Sequence, residues 1–208
     1  QIIIDKLRDR DNIIVDNTTD ALLKLRNEGY SEVYIQPLHV INGAEYDEVV
    51  AEAEVFEEEF DKIVLGRPLL TSIEDYRKVV EALSEQIPER GENEAVVFMG
   101  HGTHHDANAA YACLDYVFAD EGVNNVFIGT VEGFPELDTV IKKLEESNIE
   151  KVTLYPLMLV AGDHAQNDMA GDEEDSWKML LKGKGYEVET VLRGLGEFSK
   201  IQDLYIEH

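Results

Sequence analysis

Cations are scarce in this chain of 208 residues: 18 lysines and arginines stand against 44 aspartates and glutamates, a formal net charge of −26. Binding to nucleic acid needs a basic surface that releases condensed counterions, and the few cations here form no stripe. Nucleic acid is therefore excluded as a partner, and an anionic membrane surface is disfavoured in the same way. Cysteine is nearly absent. The single Cys113 rules out an intramolecular disulfide and any cysteine-built zinc cage, and its setting among Ala110, Leu114 and Val117 reads as helix core. There is no run of about 18 apolar residues to span a bilayer, and no charged-then-apolar leader opens the chain. A Walker A loop, a GxGxxG between strand and helix, and a GxSxG elbow are all missing, which sets nucleotide-dependent and serine-hydrolase chemistry aside.

The chain is otherwise 44% hydrophobic, enough for one substantial core or two small lobes. Short β-branched runs predict strands near Glu32–Leu38, Lys62–Leu65, Ala95–Met99, Asn125–Ile128, Lys151–Leu157 and Tyr186–Leu192. Between them helical spacing covers Thr18–Glu28, Glu45–Phe60, Ile73–Gln86, His105–Phe118, Glu136–Glu146 and Ser176–Lys182, with a terminal helix over Phe198–Ile206. Such alternation predicts an α/β fold built of parallel sheets flanked by helices. The acidic run EYDEVVAEAEVFEEEFDK reads as a solvated helix face. IPERGENEA supplies the best linker, Pro88–Glu94, so the expected division is residues 1–90, residues 91–194, and a terminal helix over 195–208 that packs on the first lobe.

An internal repeat supports two lobes. EVYIQPLHVINGAEY (Glu32–Tyr46) falls without gaps on KVTLYPLMLVAGDHA (Lys151–Ala165) at an offset of 119, with Val33/Val152, Pro37/Pro156, Leu38/Leu157 and Gly43/Gly162 identical. Upstream, ALLKLRNEGYSE matches VIKKLEESNIEK in pattern, and Glu45 falls opposite His164. The same offset leaves no counterpart for the Ala95–Gly102 strand and turn. The chain opens on QIIIDKLRDR, in mid-course and without an initiating Met, so a shortened amino terminus is expected, which would also have removed any leader peptide.

Three predicted strand ends each offer one potential metal ligand: His101 in VVFMGHGTHH, Glu132 in VFIGTVEGFPEL and His164 in LYPLMLVAGDHAQNDMAGD. The spacings, 31 and 32 residues, each match about one strand-plus-helix unit. Consecutive parallel strands would then bring N, O and N donors to one rim, where open α/β sheets bind ligands. Gly100 and Gly102 allow a tight turn that projects His101, and Thr103 can cap the helix that follows. His104 and His105 read mainly as surface residues. Glu132 could equally be a first-turn carboxylate beside Pro135, and gains as a ligand by its registry with the histidines. Asp163, His164, Asn167 and Asp168 crowd a Gly-rich loop after an apolar strand. Two imidazoles and a carboxylate suit cobalt(II), iron(II), nickel(II) or zinc and do not suit a calcium cage.

These runs, GHGT after a strand, GTVEGFP one unit later and then YPLMLVAGDHAQNDMAGDEEDSW, resemble the anaerobic cobalt chelatases, the sirohydrochlorin cobaltochelatases of cobalamin biosynthesis. IQPLHVINGAEYD and LGRPLL extend the resemblance into the first lobe, so that it covers essentially the whole chain. It implies a class II chelatase fold of two similar α/β domains holding a tetrapyrrole between them, with no ATP requirement. Carried over residue by residue, the metal set is His101, Glu132 and His164, and Glu45 looks like the facing carboxylate; the family's first strand and small-residue loop have no counterpart here.

The implied reaction is insertion of cobalt(II) into sirohydrochlorin, with His101, His164 or Glu45 taking pyrrole protons. Arg67 and the backbone N–H groups around Gly102 and Gly133 are candidates to bind substrate carboxylates. No cofactor beyond the substrate metal is expected; iron(II) and nickel(II) are the alternative metals. Expected partners are sirohydrochlorin and a divalent metal, with no nucleic acid, no membrane, and a homo-oligomer allowed. Lack of disulfides leans towards the cytoplasm, with export left open. Rival readings are an iron or nickel tetrapyrrole chelatase, a non-catalytic metal or tetrapyrrole carrier, and an α/β interaction protein with structural histidines.

Overall fold

Alternating apolar runs and amphipathic segments fold as parallel strands joined by helices in this computed structural model, which describes residues 9–208. The expectation drawn from QIIIDKLRDR falls largely on residues 1–8, outside the described residues. The chain divides into two compact units, and the boundaries differ from a division at residue 90.

The first unit takes the described residues up to Pro37 together with Ala44–Arg67. It contains α1 (Thr18–Asn27), β1 (Glu32–Ile35), α2 (Ala44–Glu54) and β2 (Lys62–Leu65). Asn17 starts α1: its side-chain oxygen accepts the Asp20 N–H at 2.7 Å, satisfying one of the donors that a first turn leaves unpaired. β1 and β2 pair in parallel, with Val33 opposite Ile63 and Tyr34 opposite Val64. Because side chains alternate across a strand, Val33 joins Leu22, Phe56 and Phe60 in a small core while Tyr34 and Val64 stay exposed. The helix expected over residues 45–60 stops at Glu54, and a 3-10 turn at Glu57–Glu59 lies between Phe56 and Phe60, both of which reach this core.

The second unit comprises Leu38–Gly43 and Pro68–His208. After α3 (Ile73–Ser84) come β3 (Glu94–Gly100), α4 (Ala109–Asp120), β4 (Val126–Thr130), α5 (Leu137–Glu146), β5 (Lys151–Pro156), α6 (Trp177–Gly183), β6 (Glu187–Thr190) and α7 (Ser199–Glu207). The four strands form one parallel sheet in the order β4-β3-β5-β6. Both faces are covered, as all-parallel sheets require. Val96 and Phe98 of β3 meet residues of α3, α4 and α7, whereas Ala95, Val97 and Met99 meet residues of α5 and α6. Cys113 is half-buried against the first of these cores, and burial pushes its thiol pKa up.

The proposed linker around Pro88–Glu94 lies inside this unit, and α3 lies on the same side of it as β3 because its apolar face is part of that sheet's core. The terminal helix α7 joins this unit too: Lys78 pairs with Glu207 at 2.8 Å, and the Tyr205 hydroxyl donates to the His39 carbonyl at 3.1 Å. Equivalent elements keep the offset of 119, with α1 and α5 matching at both ends and β1 and β5 at their first residues. Among the described residues no helix is long and apolar enough to cross a membrane.

Candidate metal centre

The strand order places the site. From β3 the chain leaves through α4 to β4 on one side, and from β5 it leaves through α6 to β6 on the other, although β3 and β5 are neighbours. Their carboxyl ends therefore flank a switch point, where the two outgoing loops part and leave a crevice. His101 follows β3 and His164 follows the loop after β5, and their rings meet edge to face, with centroids 4.7 Å apart and planes at 89°.

Both rings are oriented by oxygen atoms. His101 Nδ1 lies 2.8 Å from the Gly102 carbonyl, and His164 Nδ1 lies 2.5 Å from Asp168 Oδ2. A carbonyl can only accept and an ionised carboxylate can only accept, so in each ring Nδ1 carries the proton and donates it. The Nε2 lone pair of each imidazole is then available to a metal or a proton, and neither Nε2 makes a hydrogen bond among the described residues.

Glu132 is next to this pair in chain path but not in side-chain geometry. Its N–H donates to the His101 carbonyl at 2.8 Å, joining the loops after β3 and β4, yet its side chain is exposed. Among the described residues no group of three or more His, Cys, Asp or Glu side chains is placed to hold a metal. The three-ligand set expected from spacing is thus not preassembled. Equal spacing had suggested strands lying side by side in chain order, but β3 separates β4 from β5, so the Glu132 loop abuts that of His101 and lies one strand away from β5.

The turn that carries His101 depends on close backbone approach. Gly102 has φ +82°, and a Cβ there would lie 2.7 Å from the Gly133 nitrogen and 2.9 Å from the Glu132 carbonyl carbon. A Cβ on Gly133 would likewise lie 2.3 Å from Asn108 Oδ1. Asn108 is a residue that the sequence pattern did not single out. Its Oδ1 accepts the Thr103 N–H at 3.0 Å and its Nδ2 donates to the Phe134 carbonyl at 2.7 Å, clamping the two loops together. An asparagine just before a helix reads locally as a cap, so nothing in the sequence announced this bridge.

The expected capping by Thr103 is corrected as well. Thr103 Oγ1 accepts the His105 N–H at 3.1 Å, the His105 ring accepts the Ala107 N–H at 3.2 Å, and α4 starts only at Ala109, after a 3-10 turn. His104 is exposed. Glu45 and Arg67 belong to the first unit, Glu45 exposed in the first turn of α2 and Arg67 exposed just after β2.

The loop after β5 closes on a π-turn, Ala165–Met169, a form common at functional sites. Ala165 and Met169 are fully buried and anchor it to the core shared with α5 and α6. Gly171 ends it: its N–H donates to the Asn167 carbonyl at 3.0 Å, and a Cβ would sit 2.2 Å from that oxygen.

Comparison with known proteins agrees across the chain. The family model described as Cobalt chelatase (CbiK) matches residues 1–208. A sirohydrochlorin cobaltochelatase of Salmonella typhimurium is 46% identical over 207 residues, spanning 100% of this chain and 78% of that protein. The sirohydrochlorin cobaltochelatase CbiKC of Nitratidesulfovibrio vulgaris is 38% identical over 196 residues, covering 93% of this chain and 69% of that one. In fold, the chain is similar to the structure of SirB from Bacillus subtilis with Fe3+, with a TM-score of 0.62 at 17% identity over 92% of this chain and 75% of that one.

Proposed function

Since the chain belongs to the cobalt chelatase (CbiK) family, we propose that it inserts cobalt(II) into sirohydrochlorin without ATP, as a step of cobalamin biosynthesis. The observation that carries the site assignment is the His101–His164 pair at the switch point, with both Nε2 lone pairs uncommitted. In the reaction one metal dication replaces two pyrrole protons, so charge balances and the site must both deliver a metal and accept protons. His101 and His164 bind the hydrated cation, displace some of its water and pass it to the macrocycle nitrogens. Once the metal has left, an imidazole is free to take a pyrrole proton.

Glu132 enters as the third ligand, its carboxylate swinging in from the loop tied to His101 when the cation arrives. Glu45, the counterpart of His164 in the internal repeat, enters as a second proton acceptor. The strongly acidic surface attracts the cation and repels a polycarboxylate macrocycle, so local donors must hold the substrate. Arg67 and the N–H groups of the turns at Gly102 and Gly133 are proposed for that work. Iron(II) and nickel(II) suit the same donors, so competition among the three metals is needed to rank them. A cytoplasmic location is part of the same proposal.

The test is the absorption change of sirohydrochlorin mixed with cobalt(II) and the protein in the absence of ATP, against a His101→Ala/His164→Ala variant. Insertion accelerated by the wild type alone supports chelatase and site together. Tight binding of macrocycle with no acceleration by either would show a carrier instead.

A further inference from the structure

We infer that Asp168 is a positioning residue for metal handling: it accepts the Nδ1 proton of His164 and thereby aims the His164 Nε2 lone pair at the incoming cation. The inference rests on the reading of His164 as a metal ligand. Carboxylates that orient a ligating imidazole and raise its basicity commonly tune metal sites from the outer shell.

Several independent features hold Asp168 to this partner. The loop offers two nearby carboxylates, and Asp163 is already engaged, accepting from Asn167 Nδ2 at 2.8 Å, which leaves Asp168 for the imidazole at 2.5 Å. The π-turn fixes the spacing, because Asp168 sits between the fully buried anchors Ala165 and Met169. The end of the loop is pinned from outside: Ser176 Oγ donates to the Gly171 carbonyl at 2.8 Å and Lys178 Nζ to the Ala170 carbonyl at 2.6 Å. His101 has only a neighbouring backbone carbonyl on its Nδ1, so the two imidazoles differ, and His164 carries the more electron-rich Nε2. A donor set made unequal in this way would hold the cation chiefly through His164 while His101 lets go first.

The decisive variant is Asp168→Asn, which keeps shape and packing but loses the charge and can offer an N–H where the carboxylate offered only oxygen. Cobalt(II) alone is titrated into the full chain against a chromophoric chelator. Asp168→Asn is expected to weaken binding by about 10- to 100-fold, the usual loss for an outer-shell partner, and to alter the visible band of bound cobalt(II). On a His164→Ala background the same substitution should add nothing, because Asp168 acts through that ring. Wild-type affinity in Asp168→Asn, or a full additional loss in the double variant, overturns the inference while leaving His164 as a ligand. If His164→Ala itself leaves cobalt(II) binding unchanged, the metal-site reading fails, and the inference with it.

Discussion

The two copies of the internal repeat share a backbone plan and differ in what surrounds it. In the first unit β1 pairs with β2, and among the described residues one face of that pair meets a core, a small one of Leu22, Val33, Phe56 and Phe60. In the second, β5 has a parallel neighbour on each side and helices over both faces, and every residue from Val152 to Pro156 is buried. Past the strand, the first copy opens the regular helix α2 with Glu45 in its first turn, and the second opens a π-turn preceded by His164. One scaffold therefore offers a carboxylate in one copy and an oriented imidazole in the other. The imidazole follows the strand that is buried on both faces, an arrangement that holds a side chain in place.

The largest effects should come from replacing His164, its repeat partner Glu45, and Arg67 of the first unit with alanine. His164→Ala should weaken cobalt(II) binding by about 100-fold or more, beyond the loss typical of outer-shell partners. Glu45→Ala should leave cobalt(II) affinity unchanged and slow insertion, and Arg67→Ala should raise the KM for sirohydrochlorin with cobalt(II) affinity unmoved. Equal effects of all three on metal affinity, read by chelator competition, would contradict the proposed roles of these residues.

A smaller effect compares the two cores at matched positions. Leu154 is fully buried and its repeat partner Ile35 half-buried. Leu154→Ala should cost about 3 kcal/mol of unfolding free energy and Ile35→Ala roughly half of that, judged from cavity-forming substitutions. Urea unfolding of the two variants checks this, and equal losses would mean that the smaller core is packed as firmly as the larger.

Acid provides the mildest contrast. Burial alone would raise the Asp75 pKa, but hydrogen bonds from Ser72 and the neighbouring His208 outweigh it and hold the carboxyl below its ordinary value. A carboxyl with a depressed folded pKa contributes stability that is present above the unfolded value of about 3.9 and lost as pH falls through the lower folded value. The cap of α3, worth about 1 kcal/mol, should therefore weaken below roughly pH 4, while the bond from the Asp20 N–H to the non-titrating Asn17 side chain in α1 should not. Hydrogen exchange of the two helices against pH would show it, and Asp75→Asn should flatten the response of α3.

Much of the fold was legible in the sequence because the signals are local. Short β-branched runs marked all six described strands, and the repeat offset that aligned Glu32 with Lys151 also aligns the ends of α1 and α5. Boundaries failed where a tertiary demand overrode the pattern: the chain turns after Glu54 because Phe56 and Phe60 are both needed in one core, and α4 starts late because His105 caps a 3-10 turn first. The compact units divide away from residue 90 for the same kind of reason, since α3 carries a strongly amphipathic face that is buried with β3 and α7. At the site, His101 and His164 could be picked out as residues released by strand ends. The Asn108 clamp could not, because its partners lie 5 and 26 residues away on two different turns.

Strand and turn propensity act over a few residues, so the chain alone revealed which residue types follow the carboxyl ends of the strands. Strand order was decided only in three dimensions, by which helical faces could be buried on which side of the sheet. That order brought the histidines of β3 and β5 into ring contact across one boundary and left the β4 loop joined to the His101 turn through its backbone. Distance along the chain could count the strands but could not say which of them would be neighbours.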